Sequence, residues 1–392
     1  MGKPEREVLS EFLNLVNSQT FFKEFSFAKN CFIPKGGTEI EFSDYVLYLD
    51  RYLIIFQLKE RCIKSDSTQT ELNWLENRIR RNATKQIRKS LEYLNKLDAV
   101  LVKNERNNLI NIKSANLKEI HKVVIYLYPG KKPSEFEPVK FHTSKTAGFI
   151  HIIDFFSYQQ ICEILYTPIE IIRYLKFRET ILSLVSDANE KTEKYLLGRY
   201  LLSPIVPSPE LDSKKEDYSV FVDKLQTEVG DYDMRFVFNS LKDRIYKIDK
   251  RDELSYYKII SELALLDRAE LKLFKKRFDI SLKNSIENKF DIFRMISENT
   301  KCGFVFISIP RSAVDKRFRL LEIVINIAKY EMKLEKLIGA AIVKENGFFI
   351  DWGYINYPWE HNAEVENQLK QFNPFKPLKG KVVSIYEFIN SD

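Results

Sequence analysis

The chain has 392 residues, a length that allows two or three domains with buried cores. Hydrophobic residues make up 44% of it and charged residues 30%, with only 12 Gly and 13 Pro, so the disordered, collagen-like and low-complexity classes are excluded. Lys and Arg number 62 against 55 Asp and Glu, giving a formal net charge of +7. This mild basic excess is compatible with a nucleic-acid partner.

Cysteine and histidine are sparse, which excludes several classes of site. The 4 cysteines lie far apart without a C-x-x-C pair, so neither a zinc cluster nor a disulfide framework is indicated. The 4 histidines are too scattered for a His-based metal cluster, and no P-loop sequence is present. No apolar run approaches the roughly 18 residues of a membrane span. We therefore expect a cytoplasmic protein that does not enter a membrane.

The first half of the chain alternates between helical and strand patterns, as is typical of an α/β domain. Apolar residues at helical spacing predict helices, and short runs rich in apolar, β-branched and aromatic residues predict strands. A polar break at Asp50 and Arg51 joins the first two strands as a hairpin. The predicted helices cover residues 5–16, 74–97, 157–165 and 168–184, and the predicted strands cover residues 39–49, 52–59, 121–128 and 148–155.

The second half follows a polar stretch that holds Pro204, Pro207 and Pro209 and is the best candidate for a linker. We predict an N-terminal domain over residues 1–203, a linker over 204–217 and a C-terminal domain over 218–392. The C-terminal domain reads as mainly helical over residues 218–299, then as α/β, with strands at 303–309, 337–343 and 347–352 and a helix at 318–333. We expect it to act as a sensor, specificity or interaction domain, and to carry any self-association or regulatory partner.

Three polar residues of the predicted hairpin converge on one patch. If Asp50 and Arg51 form the loop, Asp44 lies directly opposite Gln57, and opposed residues have Cβ atoms about 4.5–5.5 Å apart. Lys59, two residues after Gln57, points to the same face of the sheet. A carboxylate, an amide and an ammonium group therefore share one surface.

The neighbours on that face are apolar or aromatic, so the polar patch needs a partner that offsets its desolvation. These neighbours are Val46, Tyr48, Leu53 and Ile55. A divalent cation such as Mg²⁺ would be such a partner, because it prefers oxygen ligands and leaves positions for water and a substrate phosphate. Lys59 could hold or deprotonate a water, or stabilise charge on a phosphate. The other interpretation is a satisfied Asp44–Lys59 ion pair beside a hydrogen-bonded Gln57.

The order of a helix, a hairpin with Glu41-x-x-Asp44 and Gln57-x-Lys59, a basic helix and a core strand resembles the PD-(D/E)xK nuclease superfamily. The resemblance covers roughly residues 1–170 and implies a restriction-endonuclease-like mixed sheet flanked by helices. It also implies that Asp44 and Gln57 bind Mg²⁺ or Mn²⁺ and that Lys59 lies beside the attacking water. Ser43 replaces the family's Pro and Gln57 its usual second acidic residue, so the chain is similar to the Q-x-K variants.

The function that this resemblance implies is metal-dependent endonuclease cleavage of phosphodiester bonds, with a role in prokaryotic antiviral defence against foreign DNA. Gln57 leaves an alternative open, a catalytically inactive nuclease fold that binds nucleic acid or a protein partner. In a third hypothesis, the C-terminal half senses a ligand and controls the N-terminal half.

Further carboxylates near the predicted hairpin are additional candidates for metal binding. Family members often add one from the first helix, where Glu7 and Glu11 share a face, although both residues also suit a solvated surface. Glu41 lies three residues before Asp44, so alternation along a single strand predicts that it points to the opposite face and ends the strand in solvent.

The helix predicted over residues 74–97 carries six basic residues before Lys96 at its end, against only Glu76 and Glu92. Such a local excess would neutralise phosphates and give affinity that does not depend on sequence. A solvated helical face is the competing interpretation. We predict that this helix binds nucleic acid, with DNA favoured over RNA, through Arg78, Arg80, Arg81, Lys85, Arg88 and Lys89.

Overall fold

The computed structural model describes residues 7–28, 30–34, 37–114, 117, 119–136, 139–184, 191–202, 229–231, 233–239, 241–242 and 256–375. The chain divides into two compact units, Met1–Thr227 and Glu228–Asp392. Both units combine helices with sheets, which confirms the predicted α/β class. The linker predicted over residues 204–217 lies outside the described residues. None of the described helices is long and apolar enough to cross a membrane.

The first unit is built on a mixed six-stranded sheet with the order β1-β4-β5-β8-β10-β9. The three strands β5, β8 and β10 run parallel to one another, whereas β1, β4 and β9 pair in antiparallel fashion. Two further antiparallel pairs, β2 with β3 and β6 with β7, stand apart from this sheet. The strands are β1 Ser26–Phe27, β2 Cys31–Phe32, β3 Ile40–Glu41, β4 Tyr45–Leu49, β5 Tyr52–Glu60, β6 Leu101–Lys103, β7 Leu109–Asn111, β8 Glu119–Leu127, β9 Phe141–Ser144 and β10 Gly148–Asp154.

The predicted hairpin is confirmed, and its register is the predicted one. Leu49 pairs with Tyr52, so Asp50 and Arg51 form the two-residue loop. Asp50 has a φ of 52°, and positive φ is common in tight hairpin loops. The prediction of one continuous strand from residue 39 was wrong. β3 ends at Glu41, and the Phe42 N–H donates to the carbonyl of Asn30, outside the main sheet.

The helix predicted over residues 74–97 is the later part of a longer continuous helix. It begins after Ser67, whose side chain accepts a hydrogen bond from the Thr70 N–H as an N-cap. Its middle is a π-helical segment, Leu75–Asn82. The helices of this unit are α1 Glu7–Thr20, α2 Phe22–Phe25, α3 Thr68–Trp74, α4 Ala83–Lys96, α5 Phe155–Leu165, α6 Pro168–Leu184 and α7 Glu193–Leu202.

The two faces of the six-stranded sheet are covered by different helices. One apolar cluster contains Ile79 of the π-helical segment, Ile87 of α4 and Val124 of β8. On the opposite face, Phe56 of β5 meets Tyr158 of α5 with ring centroids 5.6 Å apart. Because Gln57 alternates with Phe56 along β5, it lies on the face that the π-helical segment and α4 cover.

The second unit contains a four-stranded sheet with the order β11-β12-β13-β14, in which β12 and β13 are parallel. Phe274 of one helix packs on Phe306 with ring centroids 4.8 Å apart. A second helix packs so closely on the other face that a Cβ at Gly339 would clash with the side chain of Ile325. Its elements are α8 Arg235–Asn239, α9 Tyr256–Ala264, α10 Arg268–Ile286, β11 Asp291–Ile296, β12 Cys302–Ile309, α11 Arg317–Glu331, β13 Lys336–Lys344, β14 Phe348–Asn356 and α12 Ala363–Gln371.

The strand β11 corrects the mainly helical prediction for residues 218–299. α10 ends at Ile286, and Asn288 has a positive φ of 58° that turns the chain back. The strand that follows, six residues long, pairs with β12 in antiparallel fashion. The later strands and α11 confirm the predicted α/β pattern to within two or three residues, apart from β14, which continues to Asn356.

Candidate functional site

Asp44 lies at the point where the chain enters β4. Ser43, just before it, donates through Oγ to the Tyr45 carbonyl at 2.8 Å, and its own carbonyl accepts a hydrogen bond from the buried Asn30 side chain. These contacts fix the entry to the strand. Asp44 Oδ2 then accepts a hydrogen bond from the Leu58 N–H at 2.6 Å, which holds the carboxylate against β5.

Lys59 reaches the same carboxylate from β5. Its Nζ lies 3.5 Å from Asp44 Oδ2 and donates to the Leu58 carbonyl at 2.9 Å. The side chains of Lys59 and Asp44 are 13% and 23% exposed, so the pair lies at an opening and is not sealed in the core. Both contacts of the carboxylate use Oδ2, and Oδ1 accepts no hydrogen bond within the part of the chain that the structure describes.

Gln57 is buried, and its amide oxygen is unsatisfied. The side chain is only 2% exposed, and Oε1 has no hydrogen-bond partner among the described residues. A buried acceptor without a partner costs roughly 1–3 kcal/mol. A ligand that takes this oxygen would remove that cost.

The donor atoms of this site suit a hard cation. Carboxylate and amide oxygens are the ligands that Mg²⁺ and Mn²⁺ take in proteins, and Asp44 and Gln57 offer one of each. Within the described ranges, no three His, Cys, Asp or Glu side chains come together as a metal site. A cation held here would therefore complete its shell with water or substrate oxygens, as Mg²⁺ commonly does.

Glu41 is exposed at the end of β3, and its charge interacts with those of Asp44 and Lys59, although alternation predicted that it points to the opposite face. Burial raises the pKa of its carboxyl group, the negative charge of Asp44 raises it further, and Lys59 lowers it. The prediction assumed one continuous strand. Glu41 instead pairs with Cys31 in a separate two-stranded ladder, and residues 42–44 belong to no strand, so strand alternation does not connect Glu41 with Asp44.

The carboxylates of the first helix are not joined to the site by any described contact. α1 packs on the opposite face of the sheet, where Asn14 accepts a hydrogen bond from Tyr45 and Asn17 accepts one from Tyr158. Glu11 is exposed, and its carboxylate forms no hydrogen bond or ion pair with another described residue. Glu7 is the first residue of α1, and its side chain lies outside the described part of the structure.

The six predicted phosphate contacts fall on the π-helical segment and α4, and part of their charge is compensated locally. Glu76 pairs with Arg80 at 3.2 Å and with Arg81 at 3.1 Å. Arg88 lies 4.0 Å from Glu92. The other three basic residues are exposed and make no ion pair with any described residue; they are Arg78, Lys85 and Lys89.

This basic helix lies next to residues 42–44, the segment that leads into β4. Ser90 of α4 is buried, and its hydroxyl donates to the carbonyl of Phe42, two residues before Asp44. Lys89 is the exposed neighbour of Ser90 in the chain. This hydrogen bond therefore joins the helix to the segment that leads to Asp44.

A buried ion pair that the sequence did not reveal anchors the start of this helix. Arg61 Nη2 lies 2.8 Å from Glu71 Oε1, which also accepts a hydrogen bond from the Ser65 N–H at 2.6 Å. The hydrogen bond from Arg61 lowers the pKa of Glu71. Because acidic residues in a first helical turn are usual at exposed positions, nothing in the sequence marked Glu71 as buried. The pair ties α3 to the strand end next to Lys59.

Comparisons with models of protein families, with curated proteins and with solved structures find no match for this chain. The fold and the chemistry of Asp44, Gln57 and Lys59 are therefore the basis for a functional proposal.

Proposed function

We propose that the first unit is a metal-dependent nuclease that hydrolyses phosphodiester bonds in nucleic acid, with DNA favoured over RNA. The main support is the convergence of three groups at the entry of β4: a carboxylate, a buried amide oxygen without a partner among the described residues and an ammonium group 3.5 Å from the carboxylate. Oxygen ligands of this kind can hold a divalent cation, and an ammonium group can stabilise charge on a phosphate.

In this proposal Asp44 and Gln57 would hold Mg²⁺ or Mn²⁺, and Lys59 would lie beside the reacting phosphate. The cation would act as a Lewis acid and lower the pKa of a bound water. The ammonium group of Lys59, beside the carboxylate of Asp44, would orient a water or stabilise developing negative charge. The 3.5 Å contact between Asp44 Oδ2 and Lys59 Nζ keeps Lys59 in place.

The basic helix would supply affinity for the substrate backbone. Its charged residues lie on the same helix as the apolar residues that cover the Gln57 face of the sheet, and as Ser90, which contacts the chain two residues before Asp44. Phosphate contacts of this kind position a nucleic acid without reading its sequence.

One feature favours a second candidate, a nuclease fold that binds nucleic acid or a protein partner without cleaving. Gln57 carries no charge where the resembling family has a carboxylate, and Lys59 already balances the charge of Asp44. Such a site attracts a divalent cation less strongly than one with two carboxylates.

Nicking of a supercoiled plasmid, with and without added Mg²⁺, separates the two candidates. We expect the wild type to nick the plasmid only with a divalent cation, and Asp44→Ala and Lys59→Ala to abolish nicking while retaining nucleic-acid binding and a cooperative thermal transition. Lys176→Ala, at an exposed ion pair on α6, is the control for removal of a lysine. Undiminished nicking by both site variants would contradict the assignment of the active site to Asp44 and Lys59, and binding without nicking by the wild type would support the second candidate.

A further inference from the structure

Three residues at the ends of the parallel strands lie in one row that starts at Lys59. Lys59 of β5 pairs with Tyr126 of β8, and Tyr126 pairs with Asp154 of β10. Paired residues of neighbouring strands point to the same face, and neighbouring strands lie about 4.8 Å apart. The backbone of Asp154 is therefore about 10 Å from that of Lys59, along the edge where all three strands end.

A second lysine is held at the far end of this row. Lys132 Nζ lies 3.2 Å from Asp154 Oδ2 and 5.7 Å from the centre of the Tyr126 ring. Asp154 is itself fixed, because it caps α5 and accepts hydrogen bonds from Ser157 N–H at 3.2 Å and from Ser157 Oγ at 2.6 Å. The ammonium group is thus held by a carboxylate that cannot move freely.

Lys132 remains available to an anion in solution. Its side chain is 34% exposed, and an ammonium group has three donors, of which the Asp154 contact uses one. An ammonium group placed in this way binds phosphate as a point charge. Lys59 and Lys132 then form two cationic positions along one edge of the sheet.

We infer that Lys132 is a phosphate-positioning residue, which binds a phosphate of the substrate strand away from the bond that is cut. This inference rests on the proposed function, because that function places the reacting phosphate at Asp44 and Lys59. Asp154 acts through Lys132, by fixing the direction from which the ammonium group meets the backbone.

The test combines a Lys132→Gln variant of the full chain with short DNA duplexes that carry one neutral methylphosphonate linkage at successive positions. Binding is measured by fluorescence anisotropy without divalent cations, and cleavage of the same duplexes is measured with Mg²⁺. Lys176→Gln is the matched control, since Lys176 also pairs with a carboxylate, Glu179 at 3.4 Å, but lies near Lys122 in the first half of β8.

For the wild type, we expect one methylphosphonate position, away from the cut, to weaken binding about tenfold, as for removal of one charged hydrogen bond. Lys132→Gln should bind the unmodified duplex about tenfold more weakly than the wild type does. A methylphosphonate at that same position should not weaken the binding of Lys132→Gln any further. With Mg²⁺, its KM should rise while kcat changes little. Asp154→Asn keeps the helix cap but removes the charge that holds Lys132, so it should weaken binding less.

The inference would be overturned if the losses of binding from Lys132→Gln and from the methylphosphonate added up at every position of the duplex. It would also be overturned if Lys132→Gln weakened binding no more than Lys176→Gln does. The binding measurement decides this whether or not the duplexes are cut. Absence of Mg²⁺-dependent cleavage by the wild type would instead contradict the proposed function, so the two failures are distinguishable.

Discussion

The carboxyl group of Glu41 interacts electrostatically with Asp44 and Lys59, and three residues of irregular backbone separate its strand, β3, from β4. In a continuous strand, alternation would have put Glu41 and Asp44 on opposite faces. The hairpin register was predictable from a two-residue polar break, whereas this interruption depends on Asn30, whose backbone and side chain bind residues 42 and 43. A contact between segments so far apart in the chain leaves no mark in the local pattern.

The raised pKa of Glu41 gives a stability effect with a defined sign. The pKa of this carboxyl group is higher in the folded state than its ordinary value of 4.5, so the folded protein binds more protons than the unfolded chain between these two pKa values. The contribution of Glu41 to the stability of the fold therefore decreases as the pH rises from the lower pKa to the higher one. Glu41→Gln cannot ionise. We expect its Tm to exceed that of the wild type at about pH 7 and the difference to shrink towards about pH 4 in thermal unfolding followed by circular dichroism.

The exposed Glu39→Gln is the control for this pH series, since it removes a carboxylate two residues earlier in the chain. A Tm difference for Glu41→Gln that stays constant across the range would show that Asp44 and burial do not affect the ionisation of Glu41.

At the scale of elements, the basic helix combines charge with an anchored start. Its positive residues were evident from the sequence, but two of them share Glu76, so the six charges are not equivalent. Lys85 and Lys89 lie one helical turn apart, are exposed and have no ion pair within the described part of the chain. Together with Arg78, they are therefore the charges most available to a nucleic-acid backbone.

Replacing both Lys85 and Lys89 by Gln should weaken binding to unrelated duplexes equally and flatten its salt dependence. The slope of log K against log salt concentration should become shallower by about 0.9 for each phosphate that the variant no longer neutralises. The matched pair Arg80→Gln with Arg81→Gln should change the slope less, because Glu76 already compensates these charges. If the variant with both Lys85 and Lys89 replaced had the same salt dependence of binding as the wild type, these two lysines would only solvate the helix.

The elements that the sequence predicted well are those with several repeats of an apolar pattern. α6 was predicted over the range that it occupies, Pro168–Leu184, and the long strands β5, β8 and β10 were found within two residues. Strands of two to four residues, such as β6 and β9, are too short to show alternation. α3 was missed because its polar sequence has no apolar stripe, and it is held instead by the Ser67 cap and the Glu71 pair with Arg61.

At the scale of the whole molecule, the chain has two compact units that meet in sequence at Thr227 and Glu228. All the residues of the proposed site and the basic helix belong to the first unit. The second unit has its own apolar core, where α11 packs on β12 and β13. The chemistry proposed above therefore requires no residue of the second unit.

A fragment of residues 1–227 should accordingly keep Mg²⁺-dependent nicking at a specific activity no lower than that of the full chain. If the second unit restrains the first, the activity of the fragment should be higher. Plasmid nicking by equal concentrations of the folded fragment and the full chain measures this. A fragment that unfolds cooperatively but does not nick would show that the site needs the second unit.

The Mg²⁺ concentration that half-saturates nicking by Gln57→Glu tests most directly whether Asp44 and Gln57 bind a metal ion. An added negative charge about 4 Å from a cation is worth several kcal/mol at an effective dielectric constant of about 20, so we expect this concentration to fall at least about tenfold. Without Mg²⁺ the buried carboxylate should lower the Tm, and Mg²⁺ should restore it. Gln69→Glu, at an exposed position on α3, makes the same charge change and should behave as the wild type. An unchanged half-saturating concentration for Gln57→Glu would mean that Gln57 does not face a metal ion and would contradict the proposed site.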